Sequence, residues 1–198
     1  MATTAKMATE ARRVRADDVP NIPIEDPAST GYELVDGELV AIMGAKPTHA
    51  WLLGEVIGRM RDHVRATGAD GTLFGDVWCL LRVPRDPEQL RGPDVAYFGA
   101  EKMARLRKGD FFREPPDIAV EIYSPTDYRK RGDFQLRVRD FVDAGTPLLW
   151  VIYPDPKYAM VHRPDGSARM VRETEALDGE DVLPGFRLEL RDLFDAMP

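Results

Sequence analysis

Two carboxylates stand where an ordinary surface acid would not be placed. Asp94 follows Pro93 and opens the run Asp94-Val95-Ala96-Tyr97-Phe98, and Glu121 lies inside Asp117-Ile118-Ala119-Val120-Glu121-Ile122-Tyr123. A carboxylate in an apolar strand is costly to bury unless it is paired or holds a cation. Two readings are open for Glu121: a sheet-edge acid that faces water or pairs with an arginine, or a ligand of a hard cation. Strand geometry narrows the second. Asp117 and Glu121 share a strand face but lie roughly 13 Å apart at about 3.3 Å per residue, too far to share one small ion. Asp94, on another strand, can stand about 5 Å from Glu121. A carboxylate pair completed by water and substrate oxygens suits Mg2+ or Mn2+ and not zinc.

The elements that must position this pair follow from periodicity. Tyr32–Val35 and Glu38–Ile42 flank Asp36-Gly37, the sequence of a tight hairpin turn. Leu52, Leu53, Val56, Ile57, Met60 and Val64 recur at helical spacing. This predicts a helix capped by Thr48, running to about Ala66 and stopped by Gly68. Strands are predicted over Thr72–Val83, Asp94–Phe98 and Asp117–Tyr123, with a short helix over Ala100–Lys108. Asp127–Ala144 reads as a helix with Phe134, Val138, Phe141 and Val142 on one stripe, leading to a strand over Pro147–Tyr153. Tyr158–His162 and Arg169–Glu173 form a second hairpin around Pro164-Asp165-Gly166-Ser167. The order predicts an α/β (α+β) fold, a mixed central sheet with flanking helices. The helix between Glu121 and Leu148 is long enough for a parallel crossover.

Bulk properties bound the class. A chain of 198 residues with 43% hydrophobic residues fits one globular domain. Residues 1–30, aperiodic and then proline-containing, read as a mobile leader, with the domain over 31–198. The net charge of −7 argues against holding nucleic acid by charge alone. Cys79, the one cysteine, sits in an apolar run and reads as a buried structural thiol. No run approaches the roughly 18 apolar residues of a membrane helix, and Met1–Glu10 lacks a secretory apolar core. A cytoplasmic protein without a membrane partner is expected.

Tyr32-Glu33-Leu34-Val35-Asp36-Gly37-Glu38-Leu39, His49 at a helix start, Pro93-Asp94-Val95 and Pro116 through Pro125 occur in an order that resembles the Uma-two family. Ala144-Gly145-Thr146-Pro147 before Trp150, and Leu183-Pro184-Gly185-Phe186, extend the resemblance over about Gly31 to Phe194. That family is similar to the PD-(D/E)XK nuclease superfamily. The resemblance implies a restriction-endonuclease-like fold with hairpins near both ends, and a metal-dependent endonuclease that hydrolyses phosphodiester bonds of nucleic acid, DNA first. It makes Asp94 and Glu121 the metal ligands and gives Glu33 a supporting role near the metal.

Two positions depart from the superfamily pattern. The motif lysine two residues beyond the glutamate is Tyr123 here. In the family the cation resembles one moved to the next helix, where alignment back from Gly145 offers Asp133, Arg137 and Phe141. Arg137 keeps a positive charge that can steady a phosphorane-like transition state, but it cannot act as a base. These departures, with the charge of −7, support an alternative: a catalytically impaired nuclease-fold protein acting as a nucleic-acid-binding or protein-interaction module. A metal-dependent hydrolase of a smaller phosphorylated substrate is a third reading. Nucleases that cut both strands often dimerise, which by analogy adds a homodimer.

Arg129, Lys130, Arg131, Arg137 and Arg139 form either a phosphate-contacting strip or a solvated face, since Asp127, Asp133 and Asp140 interleave with them. His49 reads as a capping or packing histidine sooner than a catalytic one, and Lys46 and Lys130 are the lysines that could reach the site.

Overall fold

The computed structural model describes residues 13–27, 29–105, 111–124 and 131–198. Asp36 and Gly37 both take positive φ, 50° and 84°. This is the backbone that joins strands β1 (Ser29–Val35) and β2 (Glu38–Met43) in the expected hairpin. Helix α1 (Pro47–Thr67) begins two residues earlier than predicted, with Pro47 in its first turn and Lys46 as N-cap in place of Thr48. Gly68, at φ 68°, closes it. Leu52, Val56 and Met60, each four residues on, are its fully buried stripe.

The strand expected over Thr72–Val83 is two. The chain turns at Asp76 (φ 48°), so β3 (Gly71–Gly75) joins one sheet and β4 (Cys79–Val83) another. Strand β5 (Asp86–Arg91) was hidden in the sequence by Pro84 and Pro87, which argue against a central strand. It nevertheless pairs with both β1 and β4, with Pro87 near its start. Strand β6 (Val95–Gly99), the short helix α2 (Ala100–Arg105), β7 (Ile118–Ile122), helix α3 (Arg131–Asp143) and β8 (Leu148–Tyr153) follow. The predicted ends of α2 beyond Arg105, and of α3 before Arg131, lie outside the described residues. The second hairpin is β9 (Tyr158–His162) with β10 (Ala168–Arg172), followed by β11 (Ala176–Asp178), β12 (Arg187–Glu189) and α4 (Leu190–Asp195).

The result is a restriction-endonuclease-like mixed sheet of order β10-β9-β8-β7-β6-β3, flanked by helices. Its β7–β8 pair is parallel and α3 is the crossover between them. A second sheet, β2-β1-β5-β4, and the small β11-β12 pair complete it. One apolar face of the large sheet (Val95, Val120, Ile122, Trp150) packs on α1, with Phe186 stacked on Trp150. The other (Ala96, Phe98, Ala119, Leu149, Val151) packs on Phe141 of α3 and on Cys79. Among the described residues no helix is long and apolar enough to cross a membrane.

The leader expected over residues 1–30 is packed from Arg13 on. A 3-10 turn over Ala16–Asn21 places Ala16 and Val19 against Leu34, Leu80, Leu90 and Phe111. The apolar side chains of that turn cover the smaller sheet, so the folded part starts well before Gly31.

Phe141 is fully buried and anchors α3 on the sheet. Phe141→Ala is expected to cost about 3–5 kcal/mol, read as a lower denaturant midpoint. A midpoint within about 0.5 kcal/mol of wild type would contradict this anchoring role.

Candidate active site

In the antiparallel β6–β7 ladder Val95 stands opposite Val120, which leaves Asp94, just before β6, next to Glu121. Glu121 turns to the α3 side, where Arg137 meets it, whereas Asp94 turns toward the start of α1. Asp94 Oδ2 accepts the Ile122 amide at 2.6 Å and lies 3.2 Å from His49 Nε2 at the start of α1. Glu33 comes from the other sheet, where the Leu34–Leu90 pairing carries it opposite Arg91. Its Oε1 accepts the Gly92 amide at 2.8 Å, and its Oε2 lies 3.1 Å from Arg91 Nη1.

Arg137 of α3 joins the two halves. A single nitrogen, Nη1, is 2.9 Å from Glu33 Oε1, 3.3 Å from Glu121 Oε1 and 3.1 Å from the Gly92 carbonyl. The position expected for a strand lysine is filled by Tyr123, whose ring lies edge-on to Phe134 and beside Tyr153. Glu33, Asp94, Glu121 and Arg137 are therefore brought into one cluster. Asp117 belongs elsewhere: it accepts the Gly99 amide and pairs with Lys102.

Sequence reasoning missed the layer behind this cluster. Arg91 sends Nε and Nη2 to Asp140 Oδ2 at 2.9 and 2.7 Å, and Arg85 holds the other oxygen of Asp140. Arg85 Nε and Gln89 Nε2 both reach Asp36 Oδ1 in the hairpin turn. Asp140 had counted as one of the acids solvating a basic strip, but it is completely buried. Its spacing of three from Arg137 put the two on one helix face and was the available signal. Arg139 pairs with Asp143 on the outside of the helix, as a solvated face requires. Arg129 and Lys130 lie outside the described residues.

The pattern of the Uma2 (Uma-two) family, described as "Putative restriction endonuclease", matches residues 17–191. The chain belongs to the Uma2 family. Its fold is similar to a crystal structure of an Anabaena variabilis protein described as "a putative nuclease belonging to DUF820". The TM-score is 0.77 at 17% identity, covering 93% of this chain and 99% of that one. Among curated proteins nothing matches.

The electrostatics of this Uma2 site are unbalanced at one end. Burial raises the pKa of Glu121 well above the ordinary carboxylate value; Arg137 opposes that, while Asp94 and Glu33 add to it. Asp76, on the turn after β3, is raised by partial burial and by Asp94, with His49 and Arg137 pulling it back. Burial is the main cause of both shifts, and Arg137 opposes each of them. No group of three or more His, Cys, Asp or Glu residues fit to hold a metal occurs among the described residues.

Two outcomes follow. Asp140→Ala leaves Arg91 buried without its main partner and should destabilise the protein by about 3–5 kcal/mol. At roughly 2–4 °C per kcal/mol this is a fall of about 10 °C in Tm by calorimetry; an unchanged Tm would remove the network from the stability argument. The raised pKa of buried Glu121 means that the folded chain binds this proton more tightly than the unfolded chain does. Without metal, stability should therefore decline as pH rises from the ordinary carboxylate range through the raised pKa of Glu121. Glu121→Gln should flatten that decline in Tm measured against pH with a chelator present, and parallel curves would contradict it.

Proposed function

We propose that this protein is a magnesium- or manganese-dependent nuclease that hydrolyses phosphodiester bonds of nucleic acid, DNA first. The observation that carries the reading is the Asp94–Glu121 pair, next to the paired residues Val95 and Val120 of adjacent strands, with Glu121 buried beside Arg137. The residues fit a hard cation. One oxygen of each carboxylate is engaged by the protein, Oδ2 of Asp94 and Oε1 of Glu121, and the second oxygen of each is the ligand offered. A pair of this kind leaves most of an octahedral shell to water and substrate, as magnesium prefers. When bound, the ion supplies a polarised phosphoryl oxygen and a more acidic water.

The remaining roles fall to the chain. Glu33 acts as a positioning residue, because it fixes Arg137 through Oε1 and is itself fixed by Arg91 and Gly92. Arg137 keeps a permanent positive charge beside Glu121, where it can stabilise negative charge on a scissile phosphate. His49 steadies Asp94.

A second reading, a binding module that does not cut, draws on the same geometry. Arg137 already serves Glu33, Glu121 and the Gly92 carbonyl, and Tyr123 offers no ammonium. Magnesium calorimetry with wild type, Asp94→Ala and Glu121→Ala, beside a cleavage assay on labelled DNA and RNA, separates the two. The nuclease reading expects magnesium binding weakened about tenfold or more in both variants, together with metal-dependent cleavage. Arg137→Gln should then lower the cleavage rate about 10²-fold or more, with Arg137→Lys restoring part of it. Salt-dependent DNA binding without cleavage would establish the module instead. No magnesium binding at millimolar concentration, with none added by substrate, would overturn the metal assignment.

A further inference from the structure

A cavity of about 360 Å³ is lined by His49 and Ile122, the two residues that bond Asp94. It opens between the start of α1, the carboxyl ends of the parallel strands β7 and β8, and Met197 near the C-terminus. Carboxyl ends of parallel strands are where open α/β sheets receive ligands. His49 lines the cavity while its Nε2 stands 3.2 Å from Asp94 Oδ2, so whatever fills the cavity lies within reach of the proposed metal pair. Ile122 belongs to the α1 face of the sheet, whereas Arg137 approaches from α3 on the opposite face. Glu33, Asp94, Glu121 and Arg137 are not among the residues that line the cavity.

We propose that this cavity receives one unstacked nucleotide of the substrate, which makes single-stranded nucleic acid the preferred substrate class. The inference rests on the nuclease reading and extends it. Its volume falls in the range of small-ligand sites, which suits a base with its sugar and excludes a duplex. Ile122, Pro154 and Met197 supply apolar surface on which a base can lie. Lys46 is exposed at the rim, and its ammonium is committed to no carboxylate among the described residues. It is therefore placed to meet the phosphate of a nucleotide whose base is inside. Removing a base from a duplex costs a few kcal/mol that an already single strand does not incur, and this difference sets the preference.

The test uses the full chain with a fluorescent thymidine oligonucleotide, the same sequence as RNA, and the corresponding DNA duplex, all in chelator so that nothing is cut. Single strands should bind about tenfold or more tightly than the duplex. Thr48→Trp, which fills the cavity from an exposed position, and Lys46→Ala should each weaken single-strand binding by about tenfold, with unchanged thermal unfolding. Met197→Trp provides a second filling variant should Thr48→Trp unfold. Asp94→Asn should lose magnesium binding in a separate titration, which tests the metal pair and not the subsite. Equal affinity for duplex and single strand, or filled variants that bind as wild type does, would overturn the subsite and leave the metal pair to its own titration. Strand preference that disappears on filling the cavity, in a protein that binds no magnesium, would sink the nuclease reading and keep the subsite.

Discussion

Charge buried between the two sheets and α3 has to be neutralised on the spot, and the arrangement that does so ties the molecule together. From Asp36 in the hairpin turn, contacts run through Arg85, Asp140, Arg91 and Glu33 to Arg137 and Glu121. Each acid is followed by a guanidinium, whose planar fork can bind two partners at once. Such pairs contribute little net stability over an apolar core, but they tolerate few alternative registers. A slip of one residue in β1 would turn Glu33 to the Leu34 side and strand Arg91. The network therefore selects the register in which the smaller sheet meets the larger one, and α3, touching β4 and β8, is the piece that spans them.

Much of this was legible because its signals are local. Asp36-Gly37 announced the hairpin, the stripe from Leu52 to Met60 announced α1, and the apolar strand around Glu121 announced that its carboxylate is buried. What escaped was non-local or disguised. Pro84 and Pro87 concealed β5, and with it Arg91, although a proline at the start of a strand loses no ladder bond that matters. Asp140 looked like a surface acid because its partners come from β5, and Arg91 and Arg85 lie 49 and 55 residues before it in sequence. The break at Asp76 depends on a left-handed residue in a run of strand formers, which no pattern of apolar residues betrays. Ala16 and Val19 escaped for a similar reason: two apolar residues in a polar stretch have no period until the sheet they cover is known.

The departures from the superfamily pattern have a physical logic once the cluster is seen whole. A lysine on the strand at position 123 would have to lie where Phe134 and Tyr153 now pack around an aromatic ring. Bringing the positive charge from α3 keeps that apolar contact and still delivers a cation to Glu121. The exchange of ammonium for guanidinium alters its character, since Arg137 spreads one charge over several donors and ties Glu33 to Glu121. Site geometry and helix packing thereby become one problem: Phe141, one turn along α3, sets where Arg137 can reach.

Cys79 gives this coupling a built-in reporter. Its thiol is completely buried, and burial holds its pKa far above the usual thiol value. It lies in the same apolar layer as Phe141, and a thiolate can form there only when that layer parts. Capture of Cys79 by a disulfide reagent then reports opening of the apolar layer on which α3 rests. The chain thus carries, at its natural sequence, a chemical reporter for the motion that would release Arg137.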